Sequence, residues 1–241
     1  MKYYFWLPFA FLVCACAAPK GKVIAHIPEA SGISHCISDD TLVVANDEGT
    51  YYKISRKGKI LQKMKLGKYD LEGVICEDRE MIFAIENKGV LIVDTHTGEK
   101  KEIPLHTMYH GKKLSLFNKR SGVEAIAKVG DHVYLARQSK KKKKSFIAVV
   151  RLIPYPSKVV DVIEHRVADT AGLTYHEGYL YMVSDKEDLL IKYDLQKKNI
   201  VQKVKLGKGA WEGIAFDTNG NVYLADDDGR IVKYKKKQLG L

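Results

Sequence analysis

Short apolar runs, as at 81–85, 179–183 and 221–225, return at regular intervals along this chain, and between them come runs in which polar and apolar residues alternate, as at 63–66 and 203–206. A period of two marks strands with one buried face, and the Asn, Asp and Gly clusters between the runs are hairpin turn chemistry. The runs group into modules that open on related motifs: Ala30-Ser31-Gly32-Ile33, Leu71-Glu72-Gly73-Val74, Val123-Glu124-Ala125-Ile126, Thr170-Ala171-Gly172-Leu173 and Trp211-Glu212-Gly213-Ile214. With the glycine (or Ala125) as marker, the modules sit at 32, 73, 125, 172 and 213, in steps of 41, 52, 47 and 41 residues.

The first module reads as strands over 32–37, 41–45, 50–55 and 60–66, joined by turns at 38–40, 46–49 and 56–58. Modules two to four repeat this arrangement. The fifth has three strands, over 213–216, 221–225 and 230–234, whereas the strand at 22–27 precedes the first module and belongs to none. Four-stranded units repeating every ~40–50 residues are the signature of a β-propeller, because each sheet buries both apolar faces only when stacked radially on its neighbours. The expected fold is therefore all-β: a single propeller over 22–241 with five four-stranded blades, the last closed by the N-terminal strand 22–27. An insertion at 106–120 leaves a six-bladed ring, with a degenerate blade near 105–120, as the alternative.

Residues 1–16 depart from the pattern, with Lys2, an apolar run over 3–13 and then Val13-Cys14-Ala15-Cys16. The run is too short to span a bilayer and has the form of a secretory signal peptide. Its end resembles the bacterial lipobox, which Ala15-Cys16 fits better than Val13-Cys14; the resemblance implies lipidation at Cys16, with 17–21 as a tether. An ordinary signal cleaved near Ala18 and a soluble protein with an apolar N-terminus are the alternatives. Either export reading places the domain in the bacterial cell envelope, lipid-anchored to a membrane in the first case. Cys36 and Cys76 lie outside the signal at equivalent places in neighbouring modules. Buried free thiols are the expectation for them, and a disulfide is the alternative in an oxidising compartment.

Forty Lys and Arg against 29 Asp and Glu give a net charge of +11. A nucleic-acid partner is not expected, because no binding motif or pattern of stacking aromatics accompanies the lysines. Lys63, Lys65, Lys203 and Lys205 alternate with apolar residues, as on the solvated side of edge strands, where lysine also discourages edge-to-edge association. A monomer is expected, and the lysine run 140–144 reads as a solvated loop.

The propeller topology collects the candidate chemistry. Starts of innermost strands and ends of second strands share one face of the disc. The starts contribute Ser31, Glu72, Glu124, Ala171 and Glu212, with Glu29, Asp70 and Asp169 two residues before three of them. The ends contribute Asn46-Asp47, Glu86-Asn87, Arg137-Gln138, Ser184-Asp185 and Asp226-Asp227. One channel mouth of a basic protein is thus expected to be acidic. Converging carboxylates need a cation, Arg137 or raised pKa values to coexist. Glu72, Glu124 and Glu212 are the candidate metal ligands, and Ca²⁺, an oxygen-liking ion, is the candidate cofactor. The ligand-binding face comprises Asn46, Asp47, Glu86, Asn87, Arg137, Asp185, Asp226 and Asp227, with Trp211 beside them. The competing reading makes the aspartates turn initiators, the glutamates caps of backbone amides and Trp211 a packing residue between blades. No Gly-x-Ser-x-Gly elbow, phosphate-binding glycine loop or His-Glu-x-x-His motif is present. His106 and His110 have metal-ligand spacing but read as surface or packing residues.

At these same residues the chain resembles the SdiA-regulated, YjiK-like family of bacterial envelope proteins. The matching stretches are Glu29 to Ile33, Asn46 to Gly49, Asp70 to Val74, Gly122 to Ile126, Asp169 to Leu173 and Trp211 to Ile214. The resemblance implies an envelope β-propeller without a defined activity, akin to propellers that include calcium-dependent lactonases, phytases and esterase-like proteins. Arg137 and Ala171 depart from the acidic pattern. Three readings follow: a lipid-anchored, non-catalytic module binding a small ligand or envelope protein at its acidic mouth; a calcium-dependent lactonase or phosphoesterase; and a scaffold with an inert channel. In the second, Glu72, Glu124, Glu212 and Asp226 hold the metal and Asp47 or Glu86 is the base.

Overall fold

The computed structural model describes residues 18–117 and 122–241. The signal peptide, Cys16 and residues 118–121 of the insertion lie outside the described residues.

Five antiparallel four-stranded sheets follow one another around a ring. The first blade runs Ala30–Cys36, Thr41–Asn46, Thr50–Ser55 and Ile60–Lys65, and the second Leu71–Cys76, Glu80–Ile85, Gly89–Asp94 and Lys100–Pro104. The third runs Val123–Val129, His132–Arg137, Phe146–Arg151 and Lys158–Ile163, and the fourth Thr170–His176, Tyr179–Ser184, Leu189–Asp194 and Asn199–Lys205. The fifth combines Trp211–Phe216, Asn221–Asp226 and Arg230–Lys235 with Lys22–His26. Each innermost strand packs on the next, and Trp211–Phe216 packs back on Ala30–Cys36.

Alternation along the strands supplies each blade with two apolar faces, and five clusters of buried residues fill the gaps between neighbouring blades. Phe83, Leu91 and Val43, for example, meet between blades one and two, and Tyr181, Trp211 and Leu224 between four and five. A buried side chain of this size contributes roughly 1.5–3 kcal/mol. The outermost strands turn polar: Ile60–Lys65 is exposed along its whole length.

Ring closure follows the pattern expected of strand 22–27. Val23 pairs with Val232 and His26 with Arg230, and the Ile27 N–H donates to Gly229 O at 2.7 Å. Arg56, from the turn after the third strand of blade one, adds a second tie across the same seam. Its guanidinium pairs with Asp40 and, at 3.0 Å, with the fully buried Asp217 of blade five. The turn itself must be glycine at Gly58, because a Cβ there would lie 1.7 Å from Ile24 O and the residue holds φ 91°.

One expectation is corrected. Cys36 and Cys76 are not free thiols but form a disulfide, because their strand ends lie side by side with Cα atoms 5.1 Å apart. The bridge staples blades one and two on the face opposite the glutamates. The five blades are those expected, and among its described residues the insertion holds a hairpin of Met108–Tyr109 with Lys112–Lys113 in place of a sixth blade; the Tyr109 hydroxyl reaches Asp161 on the outermost strand of blade three.

Candidate functional site

Every innermost strand slips register one residue after its start: between Ala30 and Gly32, Leu71 and Gly73, Val123 and Ala125, Thr170 and Gly172, and Trp211 and Gly213. The residue skipped is Ser31, Glu72, Glu124, Ala171 or Glu212. A bulge leaves the extra residue unpaired and re-aims its side chain, which delivers three glutamates to one end of the channel. The glycine that follows answers a second demand, the close approach of the innermost strands. A Cβ on Gly32 would lie 2.6 Å from the Gly73 Cα, and one on Gly213 3.0 Å from the Ile33 N. The throat below the glutamates consequently narrows to a void of about 10 Å³.

Charge is concentrated there. Glu72 and Glu124 are buried, at 8% and 7% exposure. Burial, and then the charges of Glu124, Asp47, Glu212 and Asp70, push the Glu72 carboxyl up to about 11. Burial, followed by Asp227, Asp47, Glu124 and Asp185, raises Glu212 to about 9. Burial and then Glu86 bring Glu124 to about 7, and burial with nearby carboxylates brings Asp47 to about 6. Glu86, Asp169, Asp185 and Asp227 are also raised, in each case by burial first. All of these but Asp169, whose charged neighbours are Lys140 and Lys186, feel other carboxylates, so most of the acids expected at one mouth do converge on it.

Within this group, oxygens of Asp47, Asp70 and Glu72 lie within 4.8 Å of one another. Asp47 Oδ1 is buried with no hydrogen-bond partner among the described residues, and so are Asp169 Oδ1 and Asp227 Oδ1. The tightest triad therefore contains one of the three expected ligands, Glu72, whereas Glu124 and Glu212 stand outside it. Asp70 joins instead. Its place two residues before Glu72 was the only signal in the sequence.

Other expected members of the face are occupied elsewhere. Asp226 is fully buried, pairs with Arg230 and accepts from the Asp228 N–H at 2.9 Å, so it fixes its turn and is not free to ligate. Asn46 accepts from the Thr50 N–H at 3.0 Å in the equivalent turn of blade one. Arg137 does not balance the acids: its guanidinium donates to Lys144 O at 3.1 Å and lies over the Phe146 ring. Trp211 is 3% exposed, donates its Nε1–H to Gly207 O at 2.8 Å and packs between blades four and five. Asn87 donates to the Glu86 carboxylate at the rim. His106 faces the Tyr155 ring and His110 the Tyr109 ring, as packing residues do.

The family model for SdiA-regulated proteins matches residues 17–233. Among solved structures, the fold is similar to the crystal structure of Myxococcus xanthus glutaminyl cyclase, with a TM-score of 0.68 at 10% identity, over 90% of this chain and 94% of that one. No curated protein gives a significant sequence match.

Proposed function

The chain belongs to the SdiA-regulated family, and from that premise we propose that it is a lipid-anchored envelope propeller whose acidic mouth binds Ca²⁺ and, through it, an oxygen-rich small ligand or the surface of an envelope protein. The observation that carries this reading is the triad of Asp47, Asp70 and Glu72, with its buried and unpartnered Asp47 oxygen. Carboxylates brought this close repel one another unless they are protonated or share a cation. The donor set is all oxygen, which suits a hard ion. Ca²⁺ takes about six to eight oxygens, more than one triad of carboxylates readily supplies, so positions remain for ligand oxygens. Cys16 would hold the domain at the membrane.

The test is Ca²⁺ titration by calorimetry, with thermal melting in calcium and in chelator, on the parent and on Asp47→Asn/Glu72→Gln. Saturable binding and a calcium-dependent rise in Tm, both lost in a variant that still folds, are the expected result. A parent that binds no Ca²⁺ and melts identically in chelator overturns the metal.

A second reading, a calcium-dependent hydrolase of a lactone or phosphoester, draws on Glu124. Its carboxyl near 7 suits proton transfer at neutral pH. A screen of lactones and phosphoesters, extended to the cyclisation of N-terminal glutamine because a protein of similar fold is a glutaminyl cyclase, checks it. Turnover abolished by Glu124→Gln supports this reading.

A further inference from the structure

We infer that the outer rim between blades four and five is the surface this protein lays against the membrane, so that the disc stands edge-on with both channel mouths opening sideways. The inference rests on the reading that Cys16 carries a lipid, and it follows from where the described chain begins. Ala18 lies against the link from blade four to blade five: its Cβ is 3.9 Å from the position a Cβ on Gly207 would occupy. Two residues on, Lys20 O accepts from Gln238 Nε2 at 3.1 Å, and Gly240 O accepts from Gln202 Nε2 at 2.9 Å. The N-terminus, the C-terminus and the outermost strand of blade four are thereby tied into one sector of the rim. Only Ala17 separates Ala18 from Cys16, a reach of at most about 7 Å of extended chain. A lipid at Cys16 leaves this sector no room to turn away from the bilayer.

The chemistry of the sector suits an anionic headgroup layer. Lys20, Lys22, Lys203, Lys208, Lys235 and Lys237 are all exposed, and none pairs with a carboxylate among the described residues. Attraction to anionic headgroups falls off within a Debye length of about 8–10 Å, so it acts on whichever sector the tether holds closest to them. Lysines also occupy the opposite rim, where Lys63 and Lys101 are exposed on the outermost strands of blades one and two. Charge alone would therefore not choose a side. The tether does.

The experiment uses the full-length protein, purified in detergent and reconstituted into vesicles of phosphatidylethanolamine and phosphatidylglycerol, with the mass of the N-terminal peptide reporting the acyl group at Cys16. Amine-reactive footprinting then compares vesicles with micelles. Lys203, Lys208 and Lys237 are expected to become several-fold less reactive on vesicles while Lys63 and Lys101 keep their reactivity. Raised salt or Lys203→Glu/Lys237→Glu should weaken that contrast. Equal labelling of the two sets, or protection of Lys63 and Lys101 instead, overturns the orientation while leaving the anchor intact. An N-terminal peptide without an acyl group overturns the anchor itself, and the orientation with it.

Discussion

Glu72, Glu124 and Glu212 are held where ionisation is costly, and that cost fixes how the protein responds to pH. Their folded pKa values stand above those of the unfolded chain. The stability this represents is fully present below about 4.5 and is lost as pH rises through each folded value. Chelator-treated protein should therefore melt at progressively lower temperature from pH 5 towards 9. Glu124→Gln should remove the part of the loss that sets in above about 4.5 and is complete just above 7, as melting curves across that range will read. Asp217 has the opposite sign. Burial alone would raise it, but hydrogen bonds from Asn221, Tyr223 and Arg56 outweigh that and hold the carboxyl at about 2. Its contribution is present above about 3.8 and fades as pH falls towards 2. Removing one partner of a buried charged pair costs about 3–5 kcal/mol, so Asp217→Ala should lower stability by that order in urea unfolding. Single residues were the least legible part of the sequence. The acids at the strand starts could be placed on one face by topology alone, but whether Asp226 ligates or holds a turn depended on Arg230, and Arg137 on the carbonyl of Lys144. Such partners lie within the reach of a side chain, below what a repeat pattern resolves.

At the level of the strand, each innermost element combines a bulge, which in three of the five blades aims an acid inward, with a small residue, which lets the neighbouring strand approach. The repeat Glu-Gly-apolar was visible because two separate requirements fall on adjacent residues in most blades. Gly32→Ala should cost about 1–3 kcal/mol, the usual price of overpacking, because the new Cβ meets the Gly73 Cα at 2.6 Å and backbone cannot rotate aside. Denaturant unfolding at neutral pH checks this; an unchanged midpoint would mean that the two strands can part to admit a methyl group. Strand boundaries followed from alternation because a period of two and Asn, Asp and Gly turns leave few other readings. The insertion was less clear. Its polar, histidine-bearing sequence carries too little periodicity to announce a hairpin of two-residue strands.

Across the whole molecule, the ring was legible because the fifth module lacked the strand that the first twenty-seven residues offered in excess. The Cys36–Cys76 bridge was not, since equivalent positions in neighbouring blades do not fix whether two sulfurs meet. It closes a loop across a sequence separation of 40, for which chain entropy gives about 4 kcal/mol as an upper expectation. Reduction, or Cys36→Ser/Cys76→Ser, should lower the Tm without opening the ring, because the seam between blades one and five carries its own ties. The closing pair inside blade five also dictates when folding can finish. Lys22–His26 leaves the ribosome early and its partner Arg230–Lys235 among the last residues, so the longest-range pairing in the chain is the one that completes the fold. Contacts of such separation form slowly. Until the last strand is made the first waits unpaired, and a chain cut a dozen residues short of its end would leave strand edges of that blade open to neighbouring chains.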